Sequence, residues 1–491
     1  MASAKRSTTP NATRQLQEQG DQPPTEATTS TNITDLAVHR LFPLIPQSGV
    51  FRVAKPFDRG QNLFKESLVR TKLAVAAAAL VAAMPGVTAA QASSALAPWG
   101  TGVASSSATY VPSAAPSPSA TLNGLRVAYA APAGAGATCS PSSPCSIQIA
   151  LGLVSDGGAV VLKDGDYPKM ALRDVGGRLA RFNSNVVIHG VGNGARLHGV
   201  QLYAPRVTIS GVHLLEDGVF VRPGADWSRL DRVDFDGEGK PVNNVPAITL
   251  AADHSALTNS ALYDRLDGDL VFVGMGGHAV RDVTISDNKL GPAAVGPLGS
   301  HVDCLQIATQ AQQVRVLRNV IFGCSNSGLI IKADHGPIDD VLVANNFIQG
   351  CETRTADCAG YNTLYVRKNS TTNDPLTRIR VDHNTITGWV SVDPDPGILI
   401  TGNIIEAIYQ GQEKCGTWLQ YNLIATTGCR RTLPSTNAVG QAVFRDVAQH
   451  DLRLLKGSQA IGLGGPSAML SDIDGLPRQT PSTAGASESR F

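Results

Sequence analysis

From residue 186 onward the chain repeats one short phrase: an apolar residue, one position, an apolar residue, two positions, often Asn, one position, an apolar residue. It reads Val283, Ile285, Asn288, Leu290, then Val314, Val316, Asn319, Ile321, then Val341, Val343, Asn346, Ile348. Further copies run Ile379, Val381, Asn384, Ile386 and Ile398, Ile400, Asn403, Ile405, with a looser one at Thr417, Leu419, Asn422, Ile424. Earlier copies begin at Val186, Val207, Ser228 and Ala256 and carry Val or Ala at the Asn position. First positions step by 21, 21, 28, 27, 31, 27, 38, 19 and 19 residues. Repetition at such a period specifies a solenoid, in which each unit buries its apolar face against its neighbours.

Apolar residues two apart, followed by a turn signal, are strand chemistry; helical repeats need spacings of three and four. Asn tolerates left-handed backbone, and stacked Asn amides can hydrogen-bond from coil to coil. The pattern predicts an all-β fold, a single-stranded right-handed parallel β-helix of about ten coils spaced about 4.8 Å apart. A β-sandwich, the alternative, has no reason to hold one register over so many strands.

The chain has 491 residues, 5% of them aromatic, and 49 glycines, which suits a long thin core of Val, Ile and Leu. Its formal charge of +1 gives no basic surface for neutralising nucleic-acid phosphates. Residues 1–68 are rich in Thr, Gln, Asn and Pro and predict either disorder or a segment ahead of a true start at Val69. Arg70 and Lys72, the apolar run Leu73 to Met84, then Pro85, Gly86 and Ala90-Gln91-Ala92 follow the order of a signal peptide over 69–92. That run is short for a membrane-spanning helix, although an uncleaved anchor is the rival reading. Cleavage after Ala92 leaves 31 basic against 34 acidic residues. Residues 93–123 read as a Ser/Ala/Pro-rich linker, and the folded domain is expected over 124–491. The expected product is secreted or displayed at the cell surface, a monomer, and not inserted in a membrane.

Eight cysteines, an even number, suit an exported chain. Cys139 and Cys145, Cys351 and Cys358, and Cys415 and Cys429 each bracket a short loop, leaving Cys304 with Cys324. Cys324 and Cys351, however, each lie five residues after a repeated Asn, so a coil-to-coil pairing of those two competes. No Cys pair has the two-residue spacing, with His partners, of a zinc site.

Tyr129 to Tyr167 runs strand, Gly-rich turn, a short amphipathic stretch through Ile147 and Leu151, Gly157-Gly158-Ala159-Val160-Val161-Leu162, then Asp164-Gly165-Asp166-Tyr167. This resembles the N-terminal cap of the pectate-lyase-like superfamily, in which a short helix covers the open end of the β-helix and spares it edge-to-edge aggregation. Asp451-Leu452-Arg453-Leu454, Gly457-Ser458, Asp472-Ile473-Asp474-Gly475, Pro477-Arg478 and Glu488 resemble the closing segment of secreted bacterial β-helix proteins.

Aligning the strand that follows each Asn turn puts Leu305, Leu329, Leu364 and Val390 in one column, with Ile307, Ile331, Val366 and Val392 two residues on, all facing the core. The outward columns are then Gln306, Ile330, Tyr365, Ser391 and Ala308, Lys332, Arg367, Asp393. Ile330-Ile331-Lys332-Ala333 and Leu364-Tyr365-Val366-Arg367 resemble the paired strands of the alginate lyases and chondroitinase B, in which a Lys and an Arg one coil apart act on a uronate. The resemblance implies an acidic polysaccharide as partner and β-elimination as reaction. Lys332 would take the proton beside the carboxylate, and Arg367 would hold the carboxylate or assist the leaving group. It also implies calcium, but Ser325-Asn326-Ser327-Gly328, where that family carries acidic ligands, has no carboxylate. No metal is therefore assigned, with Asp303 and Asp334 as conceivable substitutes.

His301, two residues before Asp303, is a further acid or base candidate. Asp303, Gln306, His335, Tyr365 and Asp393 are the substrate-binding candidates, gathered with His301, Lys332 and Arg367 in one expected cleft. Alternatives are a solvated charge ladder on a non-catalytic glycan-binding or structural surface protein, a C5-epimerase, and a glycoside hydrolase. The hydrolase needs paired carboxylates, and the nearest are Asp339-Asp340, on another turn, and Asp234 with Asp236, coils away.

Overall fold

The computed structural model describes residues 126–489 except 193, 352–361, 394, 409–414 and 430–432. The expected extension, signal and linker (1–68, 69–92 and 93–123) therefore lie outside the described residues, as do Cys358 and Tyr361.

The chain winds into a right-handed parallel β-helix. One face is a 12-stranded sheet with one strand per coil in chain order. Its first two strands, Val127–Ala130 and Ala159–Leu162, precede the first copy of the phrase, and its other ten carry the ten copies. Val283 pairs with Val314, Val314 with Val341, and Val341 with Ile379, so the apolar residues two apart stack on their counterparts from coil to coil. They point inward and are fully shielded, while the residue between them, such as Arg315, faces out. One copy sits differently from the sequence reading. Leu257 pairs with Ile285, so that copy begins at Ser255 rather than Ala256 and puts Ser260 at the Asn position.

A 20-stranded sheet forms the remaining wall. It comprises two strips that meet in strand Thr385–Val392, which pairs through Thr385 to Thr387 with Phe347–Gln349 and through Trp389 to Val392 with Asn362–Lys368. Gly388, with φ 135°, makes the bend between the two halves.

The repeated asparagines form a buried ladder at the corner between the faces. Each side-chain amide donates to the next Oδ1 along Asn288, Asn319, Asn346, Asn384, Asn403, Asn422 and Asn437, at 2.8 to 3.0 Å. Each Oδ1 also accepts the backbone N–H of the preceding rung, and each amide also donates to a strand carbonyl of the preceding coil. The stacking follows the sequence reading, but the left-handed backbone does not. It belongs to the residue before the Asn at every rung but the last, as at Asp287 (φ 61°), Arg318 (53°), Asn345 (57°) and His383 (53°).

The α-helix Ile147–Leu153 is capped by Ser146 and sends Ile147, Ala150 and Leu151 into the core beside the first strands. Cys139 bonds to Cys145, Cys304 to Cys324 and Cys415 to Cys429. Cys324 is thus committed to Cys304, which rules out its pairing with Cys351; Cys351 is itself disulfide-bonded. Among the described residues no helix is long and apolar enough to cross a membrane.

Candidate functional site

The candidate residues sit on three neighbouring strands of the larger sheet, Asp303–Thr309, Ser327–His335 and Asn362–Lys368. Leu305 pairs with Leu329 and Leu329 with Leu364, which fixes the alternation, and Lys332 lies directly opposite Arg367 on the next coil. Their side chains project outward because Ile331 and Val366, one residue before each, are wholly buried.

Each cation has a carboxylate. Lys332 Nζ lies 2.8 Å from Asp334 Oδ1, an oxygen that also accepts from Asn369 Nδ2 at 2.9 Å. Arg367 Nη2 donates to Ser391 Oγ at 2.7 Å, and its guanidinium stands 5.0 Å from the centre of the Tyr365 ring. Arg367 Nε is buried without a hydrogen-bond acceptor, since Asp393 Oδ1, at 3.6 Å, is too distant. Asp393 instead accepts the backbone N–H of Lys368 at 3.1 Å.

Gln306, Ile330, Tyr365 and Ser391 align as one outward column in the predicted order. The column continues upstream through Phe272 and Phe220, with Arg222 stacked 3.6 Å from the Phe220 ring centre. Those two aromatic residues were not found from sequence, because their strands are three residues long and carry no phrase; extending the column coil by coil would have reached them.

The expected single cleft divides in two. Asp303 pairs with Ser327 at the start of its strand, and Lys332 lies five residues beyond Ser327, about 17 Å along the strand. His301 and Asp303 therefore stand at the opposite end from Lys332 and Arg367. His335, exposed, ends the lysine strand and pairs with Thr309. His301 is exposed, with Nε2 3.9 Å from Asp303 Oδ2. Asp303 is buried beside Asp269, which the sequence reading did not single out because it precedes its strand and belongs to no motif. Burial pushes both carboxyls well above the usual range, and repulsion from Asp269 drives Asp303 further.

Calcium does not fit at the lysine strand. Ser325 and Ser327 are buried, and Ser325 Oγ accepts the backbone N–H of Val295, so both serve the wall. Neither supplies the charged oxygens a hard cation needs. Of the hydrolase carboxylates, the adjacent pair is committed, Asp339 to Arg378 and Asp340 to Arg315 at 3.0 Å.

No protein-family model matches the chain, and no curated protein matches it. Solved structures do. Pectate lyase Pel9A is 13% identical, with a TM-score of 0.42 over 75% of this chain and 98% of its own. The PL6 family polysaccharide lyase Pedsa3628 from Pseudopedobacter saltans is 11% identical, with a TM-score of 0.37 over 68% and 96%. PfbA, a surface adhesin of Streptococcus pneumoniae, is 12% identical, with a TM-score of 0.36 over 58% and 74%. The likeness is one of fold, and the chemistry rests on the residues themselves.

Proposed function

We propose that this is an exported or cell-surface β-helix protein acting on an acidic, uronate-containing polysaccharide by β-elimination. The observation that carries the reading is the outward pairing of Lys332 with Arg367 on successive coils, with the Arg367 guanidinium beside the Tyr365 ring on an aromatic-bearing column. A uronate carboxylate on Arg367 places charge where the enolate develops, and the Tyr365 ring offers a stacking face to the sugar.

Lys332 then removes the proton beside the carboxylate. The bond from the ring to the glycosidic oxygen breaks, a carbon–carbon double bond forms, and the proton on Lys332 is available to the departing oxygen. Abstraction requires a neutral amine, so the ammonium proton must pass to solvent before the step, against the ion pair with Asp334 that Asn369 holds in place. That ion pair also supports a second reading, in which Lys332 stays an ammonium and the column binds glycan without cleaving it.

The test is ultraviolet absorbance of unsaturated uronate during incubation with alginate, pectate and glycosaminoglycans. Absorbance is expected to rise with the native chain and to fall by about a hundredfold or more in rate with Lys332→Ala. Binding with no rise on any substrate supports the non-catalytic reading; a proton returned to the opposite face of the sugar, seen as exchange without cleavage, marks an epimerase.

A further inference from the structure

Two carboxylates are stacked on successive coils inside the wall of the solenoid. Val271 pairs with Leu305, so Asp269 and Asp303, each two residues earlier, lie opposite one another. Asp303 is fully buried and Asp269 is 4% exposed. One oxygen of each is already held: Asp269 Oδ1 accepts the Asp303 N–H at 2.8 Å, and Asp303 Oδ1 accepts from Asn326 Nδ2 at 2.8 Å. Asp303 Oδ2 is buried with no hydrogen-bond partner. It faces His301, and one ligand atom from each of Asp269, His301 and Asp303 lies within 4.8 Å of the others.

Two adjacent carboxyls in a wall of Val and Leu are unfavourable as a pair of anions and are relieved by either a proton or a metal cation. Asn326 and the Asp303 N–H already orient the carboxylates as outer partners do in metal sites. Two carboxylate oxygens and one imidazole nitrogen suit a zinc-like first-row dication, whereas calcium asks for six or more oxygens. Bonds of about 2.0–2.2 Å place neighbouring ligands about 3.3 Å apart, so binding draws His301 in from its 3.9 Å position and shortens the other separations, all already within 4.8 Å. We propose that Asp269, His301 and Asp303 bind a zinc-like first-row divalent cation, which ties two successive coils together and leaves coordination open to water. The site is separate from Lys332 and Arg367 and does not depend on the reading given them.

The test uses the full chain stripped with chelator, exposed in turn to zinc, manganese and calcium, dialysed, and assayed for retained metal and melting temperature. One equivalent of zinc is expected to be retained with a rise in melting temperature, and calcium is expected to do neither. His301→Ala, an exposed change that leaves the wall intact, should lower zinc affinity by at least the roughly tenfold typical of losing an outer-shell partner, and Asp303→Asn should abolish retention. Failure to retain zinc, preference for calcium, or retention unaltered in His301→Ala overturns the proposal. Because the readout is bound metal, its failure is distinct from a failure to cleave polysaccharide.

Discussion

At the scale of single residues, the chain places ionisable groups where burial decides their state. His383 is the clearest outside the candidate site. Its side chain is fully buried, Nδ1 against Asp382 and Nε2 2.9 Å from Ser482 Oγ in the closing segment. Burial depresses the imidazole's proton affinity more than Asp382 restores it. For Asp382, burial works upward but is outweighed by His383, the Ala468 N–H and Arg380, which hold it low. Both groups therefore take up protons more readily when unfolded. The histidine share of stability is full above its unfolded value of about 6.5 and declines as pH falls below it, and the aspartate share is lost below about 3.9. Because buried Asp269 and Asp303 act in the opposite sense, the test is a difference: the melting-temperature gap between the native chain and His383→Gln should narrow as pH falls from 7 to 5, and a gap that widens contradicts the assignment. The pairing of Lys332 with Arg367 was legible in sequence because strand alternation lets one count from any anchored apolar residue. The Asp269–Asp303 pair was not, since it depends on a loop length setting two strand starts level.

At the scale of elements, the asparagine ladder explains why the phrase persists while the loops between copies vary. Asn346 Oδ1 accepts both the backbone N–H and the side-chain amide of Asn319, at 2.8 and 2.9 Å, and its own amide donates to Val316 O and Asn384 Oδ1. Asn346→Ala strands several buried polar groups at about 1–3 kcal/mol each, so a loss of about 3 kcal/mol or more is expected in urea unfolding. Asn437→Ala, at the half-buried last rung, should cost about 1 kcal/mol, because water reaches the groups it leaves. Equal costs at the two positions would mean the ladder is not cooperative with the buried wall. The ladder itself was readable from residue spacing. Its left-handed turn was misplaced by one residue, because Asn satisfies two roles in general and here the hydrogen-bonding role excludes the conformational one.

At the scale of the whole molecule, the closing segment ties distant coils together. Ala486 N–H donates to Thr385 Oγ1, Asn345 donates to Ser471 O, and Leu452 and Ala486 pack on Phe347. At its centre Arg478 and Glu488 form an ion pair, 4% and 3% exposed, and Arg478 also donates to Asn345 and to the Gly485 carbonyl. Arg478→Ala leaves Glu488 as a buried uncompensated charge and should cost about 3–5 kcal/mol in denaturant unfolding, against little for Arg478→Ala paired with Glu488→Gln. A solenoid held only by neighbour contacts unzips from its ends; a strap across coils makes it melt as one. The ladder carries the opposite message about growth. Its rungs fall 31, 27, 38, 19, 19 and 15 residues apart, yet every rung bonds alike. The amides thus act as a ruler that measures turns rather than residues: a loop between rungs can lengthen without moving the stack, whereas an extra turn inserted at Asn384 would push apart the coils that the closing segment grips at Asn345, Thr385 and Gly402.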